Sequence, residues 1–273
     1  MLEPRADQGE SLRRTAPQVS SRLITLVSQG DSVTELPLLW QLCSALQGYG
    51  YSIAVLDATS LETERKPGLH QLLNNAYGTG QDAAEEFGWS VMPAAAGLRT
   101  LGRSAGMRTW IPGDTETASQ TTPAMRRLGE LFRDYSVVVL YGRAELLIPV
   151  LAGSEAQPLL TLTPLRASVM RAYRTLKQLL QQARLQPTVA SLATPSQKNA
   201  EAVARNAGKT LQECAMTYLG CQTDMVTVRS EGSTGRWSDD AHRLALRLLE
   251  GAISLNPSSV VHGHPTAALE PAF

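Results

Sequence analysis

The residues that could do chemistry in this chain begin with SQGDSVTEL at positions 28–36, which joins a short apolar run to a helical pattern. A turn between a strand and a helix is where backbone N–H groups can converge on a phosphate. That task wants glycines for close approach, a lysine for positive charge and a Ser/Thr hydroxyl for Mg²⁺. Here Gly30 is the single glycine, while Asp31 and Glu35 carry the wrong sign. At ~4 Å and an effective dielectric near 20, each carboxylate facing a phosphate costs roughly 4 kcal/mol before relaxation. By itself the stretch reads as an ordinary strand-to-helix connection. Asp57, at the end of the apolar run SIAVLD, is a second acid in a suitable place.

Other candidates are weaker. His262 and His264 form an HxH with no acid or cysteine ligand nearby, so no metal site is expected. His70 and His242 read as residues of solvated helix faces, and Asp239 and Asp240 as acids placed at a helix start by the dipole. No Ser/His/Asp or Cys/His arrangement can be argued. Cys43, Cys214 and Cys221 lack CxxC or metal spacing and read as reduced thiols.

The elements that must position these residues alternate. Strands are expected at 23–27, 52–56, 137–141, 158–162, 187–192 and 224–228, and helices at 36–48, 120–133, 165–184, 198–218 and 238–254. The strand runs are short and apolar on both faces, as buried parallel strands are. The fold class expected is therefore α/β, a mostly parallel central sheet with helices on both faces. Residues 60–122 are rich in Gly, Thr and Ala and give little pattern. Residues 1–21 read as an appended segment with at most one short helix, 22–255 as the α/β domain, and 256–273 as a disordered tail.

Composition removes several function classes. Lys+Arg and Asp+Glu balance at 25 each, so no global field draws nucleic acid or anionic lipid. Aromatics at 5% are too few for a base-stacking platform. No apolar run approaches the ~20 residues needed to span a bilayer, and the polar N-terminus does not read as a signal peptide. A cytoplasmic protein is expected, reaching a cell pole or the inner membrane surface only through partners.

Taken together, these segments resemble the MinD/ParA class of P-loop ATPases. In that class the variant loop runs K-G-G-x-G-K-[ST] after a Ser-Gly pair. Aligned from Ser28, Gly30 falls at the first lysine, Asp31 and Ser32 at the paired glycines, Val33 at the neutral position and Thr34 at the next glycine. Glu35 then stands at the second lysine and Leu36 at the Mg²⁺-binding hydroxyl. Asp57 survives from an Asp-x-Asp pair whose second place is Thr59. DYSVVVLYG resembles the Walker B strand, with Leu140 or Tyr141 at the acidic position. TPLRASVMRAYRTLK resembles a family stretch through Thr163, Pro164, Ser168, Ala172, Tyr173 and Lys177. Ser191 and Leu192 stand where a base-reading Asn-Arg ends a strand, and Tyr218–Leu219–Gly220 where a helix ends in FLG. Packing positions persist while phosphate, metal and base positions are replaced together. The resemblance therefore implies a pseudo-ATPase, with ATP and Mg²⁺ binding lost and no cofactor.

The N-terminal ADQGESLRR resembles the DQAxxLR motif that precedes the core in the FlhG (FleN/YlxH) branch of bacterial flagellar number regulators. Asp7, Gln8, Leu12 and Arg13 match, and Gly9 replaces an alanine. In that branch the segment folds as a helix on FlhF, an SRP-type GTPase, and stimulates GTP hydrolysis. By this resemblance Gln8 would orient the attacking water, Leu12 would anchor the same helical face, Arg13 would pair with acid or phosphate, and Asp7 would cap the helix. Basal-body proteins or transcription regulators are further partners of such a regulator. Nucleic acid is not expected as a partner, and membrane association is expected to be weak or absent, since no Lys or Arg follows Arg247. Two other readings stay open: a divergent MinD/ParA ATPase, and a pseudo-ATPase scaffold of another surface machine such as cellulose secretion or pilus assembly.

Overall fold

A computed structural model describes residues 21–74, 89–106, 122–193, 199–229 and 239–255. The N-terminal motif at residues 7–13, the tail 256–273 and His262 and His264 lie outside the described residues.

Among the described residues, seven strands form a parallel sheet in the order β3-β2-β4-β1-β5-β6-β7. They are β1 (Arg22–Ser28), β2 (Ile53–Asp57), β3 (Ser90–Pro93), β4 (Val137–Arg143), β5 (Leu159–Leu162), β6 (Thr188–Ala193) and β7 (Asp224–Arg229). A two-residue β8 (Ile253–Ser254) runs antiparallel beside the first residues of β1, while β5 pairs with its last. The helices are α1 (Ser32–Gly48), α2 (Leu69–Leu73), α3 (Ala95–Gly106), α4 (Pro123–Leu131), α5 (Ala144–Leu151), α6 (Arg166–Ala183), α7 (Ala200–Leu219) and α8 (Asp239–Glu250).

Alternation along the strands builds two cores. Ile24, Leu26, Val139 and Tyr141 pack with Leu38, Leu42 and Leu46 of α1 and Leu244 and Leu248 of α8 on one face. Leu23, Val27, Val138, Leu140 and Leu160 meet α3–α7 on the other. Burial of both strand faces explains the uninterrupted apolar runs. It also decides which side chain of β4 can reach the turn before α1: Tyr141 faces α1, and Leu140 faces the opposite core. The sheet carries β4 on one side of β1 and β5 on the other, so its topological switch point lies at the carboxyl ends of these strands. Open α/β sheets bind ligands there.

Several elements differ from the sequence reading. The helix expected at 36–48 starts at Ser32, which brings Glu35 into its first turn. The helix expected at 238–254 ends at Glu250, and the chain turns back to make β8. Between 60 and 122 the structure holds α2, β3 and α3, which the composition concealed. A Cβ on Gly97 would fall 2.5 Å from Leu69 Cγ, and one on Gly102 would fall 2.8 Å from Pro149 Cβ. The glycines that weaken the helical pattern are thus what lets α3 pack closely against α2 and α5. Helix α5, AELLIPVL, was also missed, because it is apolar nearly all round and contains Pro149.

Candidate functional site

The strand-to-helix turn after β1 is built around one buried carboxylate. Glu35 is fully buried, and its Oε1 accepts from the backbone N–H of Gln29 at 2.7 Å and of Asp31 at 3.4 Å. Its Oε2 accepts from the hydroxyls of Ser28 at 2.8 Å and Tyr141 at 2.7 Å. Gly30, at φ +81°, gives the turn the left-handed step that lets the N–H groups on either side reach one acceptor. Its own N–H reaches Ser28 Oγ at 3.2 Å. The Gln29 amide bonds to the Thr161 carbonyl of β5, tying the turn to the strand beyond. Helix α1 opens from Asp31, whose carbonyl accepts from Thr34 and Glu35 N–H at 3.2 and 2.9 Å.

A buried carboxylate is tolerated only when hydrogen bonds replace its hydration. Glu35 has four donors and, among the described residues, no cation. The arrangement is that of an anion in a nest of N–H groups, with the anion supplied by the chain itself. Tyr141 completes it from the neighbouring strand, two residues from the Ser28↔Arg143 pairing at the strand ends. Burial drives the Tyr141 phenol well above its ordinary range; the Ser28 hydrogen bond opposes this, and the Glu35 carboxylate adds to it.

The other loop residues point elsewhere. Val33 is 81% exposed and Leu36 48%, so neither contributes a group to the turn's interior. Ser32 is exposed, and Thr34 donates its hydroxyl to the Asp31 carbonyl. Asp57 ends β2, across from Tyr141 in the sheet. Its carboxylate accepts from Thr59 N–H at 2.9 Å, Thr59 Oγ1 at 2.6 Å and Ser60 Oγ at 2.5 Å. The acid and the threonine beside it thus form a closed turn.

The remaining motif positions carry structural contacts. Ser168 Oγ accepts from Thr163 N–H, and Ala172 is fully buried. Ser191 is buried and donates to the Ala204 carbonyl of α7, and Leu192 lies in the core. Tyr218 is 72% exposed at the end of α7, where Gly220 adopts the left-handed C-cap conformation. His242 is half-buried: its ring meets Tyr49 edge-on at 5.4 Å, and Nδ1 lies 3.1 Å from the tyrosine hydroxyl. His70 is half-buried, with Nδ1 enclosed and Nε2 3.1 Å from Asn74. Asp239 and Asp240 open α8 as expected, and Asp240 also accepts from Arg229 N–H. Among the described residues no group of His, Cys, Asp or Glu is arranged to hold a metal, and no helix is long and apolar enough to cross a membrane.

Sequence reasoning missed a cleft of about 380 Å³ beside the turn, lined by Ser28, Gln29, Arg143, Glu145, Arg171 and Arg174 among others. Arg171 and Arg174 are three apart on one helix, which was readable; Arg143 joins them only through the sheet.

No protein-family model matches the chain, and no curated protein matches it in sequence. Solved structures do match. A chain of the MinC:MinD cell division protein complex from Aquifex aeolicus and the cell division ATPase MinD of Pyrococcus furiosus each superpose with a TM-score of 0.53. They share 11% and 12% identity over 85% of this chain, and 97% and 98% of theirs. Cobyrinic acid a,c-diamide synthase from Mycobacterium smegmatis, also solved with an ATP analogue and magnesium, superposes at 0.52 with 15% identity over 84% of this chain and 94% of its own. At such identities the likeness establishes architecture alone: the chain has the fold of the MinD/ParA P-loop NTPases.

Proposed function

We propose that the protein is a MinD-like pseudo-ATPase that regulates flagellar number or placement, acting through residues 7–13 as activator of an SRP-type, FlhF-like GTPase. The observation that carries the pseudo-ATPase half is the Glu35 carboxylate, which takes the donors that would otherwise serve a phosphate. A nucleotide entering this turn would have to displace an anion tethered to the same helix, and then meet its charge. The acid position of β4 is filled by Tyr141, a donor to that anion, and Asp57 is held in its own turn. Among the described residues, neither of these two positions then offers the loop a free metal-organising acid.

The activator half rests on the sequence motif Asp7, Gln8, Leu12 and Arg13. Gln8 would complete the partner's site by orienting the attacking water, a role glutamine fills in other GTPases. The test is GTP turnover by the cognate SRP-type GTPase, with and without this protein, with Gln8→Ala as control. Stimulation that disappears with the substitution supports the reading. Absence of stimulation at saturating protein rejects the activator half. Calorimetry with ATP and Mg²⁺ tests the other half separately, and micromolar binding that persists in Arg174→Ala, a variant of the neighbouring cleft, would reject it.

A further inference from the structure

We propose that the cleft between the start of α5 and the outer face of α6 binds a small ligand bearing a polyphosphate group, beside the turn whose donors Glu35 takes and sharing Ser28 and Gln29 with it. Arg143 follows β4 and stands level with Ser28 at the strand ends. Arg171 and Arg174 project from α6, and all three line the same 380 Å³ space. That volume lies within the ~300–1,000 Å³ usual for small-molecule sites. The location also matches, being the crevice at the carboxyl ends of β1 and β4 where the strand order reverses.

Convergence sets these arginines apart, since others such as Arg65, Arg99, Arg126 and Arg133 also lie beyond 4.0 Å of any carboxylate among the described residues but do not share a cleft with them. Arg127, Arg205, Arg229, Arg243 and Arg247 each lie within 4.0 Å of a carboxylate. Arg143, Arg171 and Arg174 have no such partner among the described residues, although they converge on one cleft of a chain whose charges balance overall. Among the described residues Glu145 is the one acid lining the cleft, so three guanidinium groups share it with a single carboxylate. Helix α5 begins beside them without a side-chain cap, so its first N–H groups add further donors. Guanidinium forks recognise phosphate oxygens in a bidentate way, and several of them on converging elements suit a chain of phosphates better than one carboxylate.

The proposal does not depend on the proposed function, and the experiment keeps the two apart. Tripolyphosphate is titrated into the full-length protein by calorimetry at low and moderate salt. Saturable one-to-one binding is expected, weakened at least tenfold in Arg174→Ala, partly restored in Arg174→Lys, and tightened in Glu145→Gln. These residues are exposed, so the variants should fold as the parent does. Absence of binding, or binding indifferent to Arg171 and Arg174, overturns the cleft and leaves the GTPase reading untouched. Binding that responds to Glu35→Gln but not to Arg174→Ala places the anion in the turn, and overturns both the cleft and the pseudo-ATPase reading. A glutamate-rich peptide that binds where tripolyphosphate does not assigns the arginines to an acidic protein partner, and rejects the ligand proposed.

Discussion

Two neighbouring regions at the carboxyl end of the sheet handle charge in opposite ways. In the turn after β1, an anion is enclosed and every oxygen bond goes to the chain's own donors. In the cleft beside it, three guanidinium groups stand without a carboxylate partner among the described residues. Both are built on the same strand ends, with Ser28 lining one and donating in the other. The turn behaves as a structural element, whose removal costs stability. The cleft behaves as a surface with capacity for a ligand, whose removal costs little to the fold.

The largest effect expected from this contrast is at Glu35. Glu35→Ala strips the acceptor from two hydroxyls and two N–H groups inside a closed space, and should destabilise the protein by about 3–5 kcal/mol in urea unfolding, since a charged, buried network is broken from one side. Glu35→Gln keeps the shape but loses the charge, and should cost roughly half as much. A loss under about 1 kcal/mol for the alanine variant would mean that the turn is as solvent-tolerant as the cleft, and the contrast would collapse.

Tyr141→Phe removes a single donor and should cost about 2 kcal/mol at neutral pH. Its pH dependence gives a sharper check. The phenol is held above its ordinary value of 10.0 in the folded protein, chiefly by burial. The unfolded chain therefore loses the proton first as pH rises, and the stability tied to that proton, complete below about pH 10, is lost above it. The gap between parent and Tyr141→Phe should be constant from pH 7 to 9 and narrow above 10. A gap that widens there would show that the phenol is not buried against Glu35.

A third carboxylate tests whether enclosure is peculiar to the loop. Glu62 accepts from Ala96 N–H at 2.7 Å, Gly97 N–H at 2.8 Å and His70 N–H at 3.3 Å, joining the first turns of α3 and α2. Glu62→Ala should cost about 1–2 kcal/mol, the range of a lost helix cap. It should leave any signal from the turn or the cleft unchanged.

How far the sequence could have led to these sites depends on which interactions are local. Most of the sheet and its longer helices were readable from runs such as VVVLY and from the period of α6, because double burial forces uninterrupted apolar strands. The anomalous chemistry of the loop was also visible, since Asp31, Glu35 and Leu36 are the wrong types for phosphate. What the sequence hid was direction. Glu35 reads as a charge facing a ligand until the helix is known to start at Ser32, which turns it inward. Its partner Tyr141 lies 106 residues away and could be told from Leu140 only by the face of β4 it occupies. The cleft is hidden for the same reason: Arg143 and Arg174 meet through strand order, which no local pattern reports. Glycines misled in the other direction, because Gly97 and Gly102 weaken a helical pattern while permitting the contact that stabilises it.

The smallest effect is expected where the charges are unpaired, and its smallness carries the contrast. Arg174 is exposed and, among the described residues, bonds to no carboxylate and caps no helix, so Arg174→Ala removes no interaction seen to support the fold. Surface substitutions of this kind usually lie within ~0.5 kcal/mol of the parent. Relief of repulsion among three like charges should move the value toward stabilisation, more at low salt than at high salt. Unfolding midpoints at low and moderate ionic strength therefore supply the check. A destabilisation above about 1 kcal/mol would give Arg174 a partner within the fold, and would make the cleft a second enclosed network. A small stabilisation that fades with added salt is what repulsion among uncompensated guanidinium groups produces. An anion entering the cleft would remove that same repulsion, so the salt dependence of stability in the free protein and its stabilisation by tripolyphosphate should both diminish in Arg174→Ala.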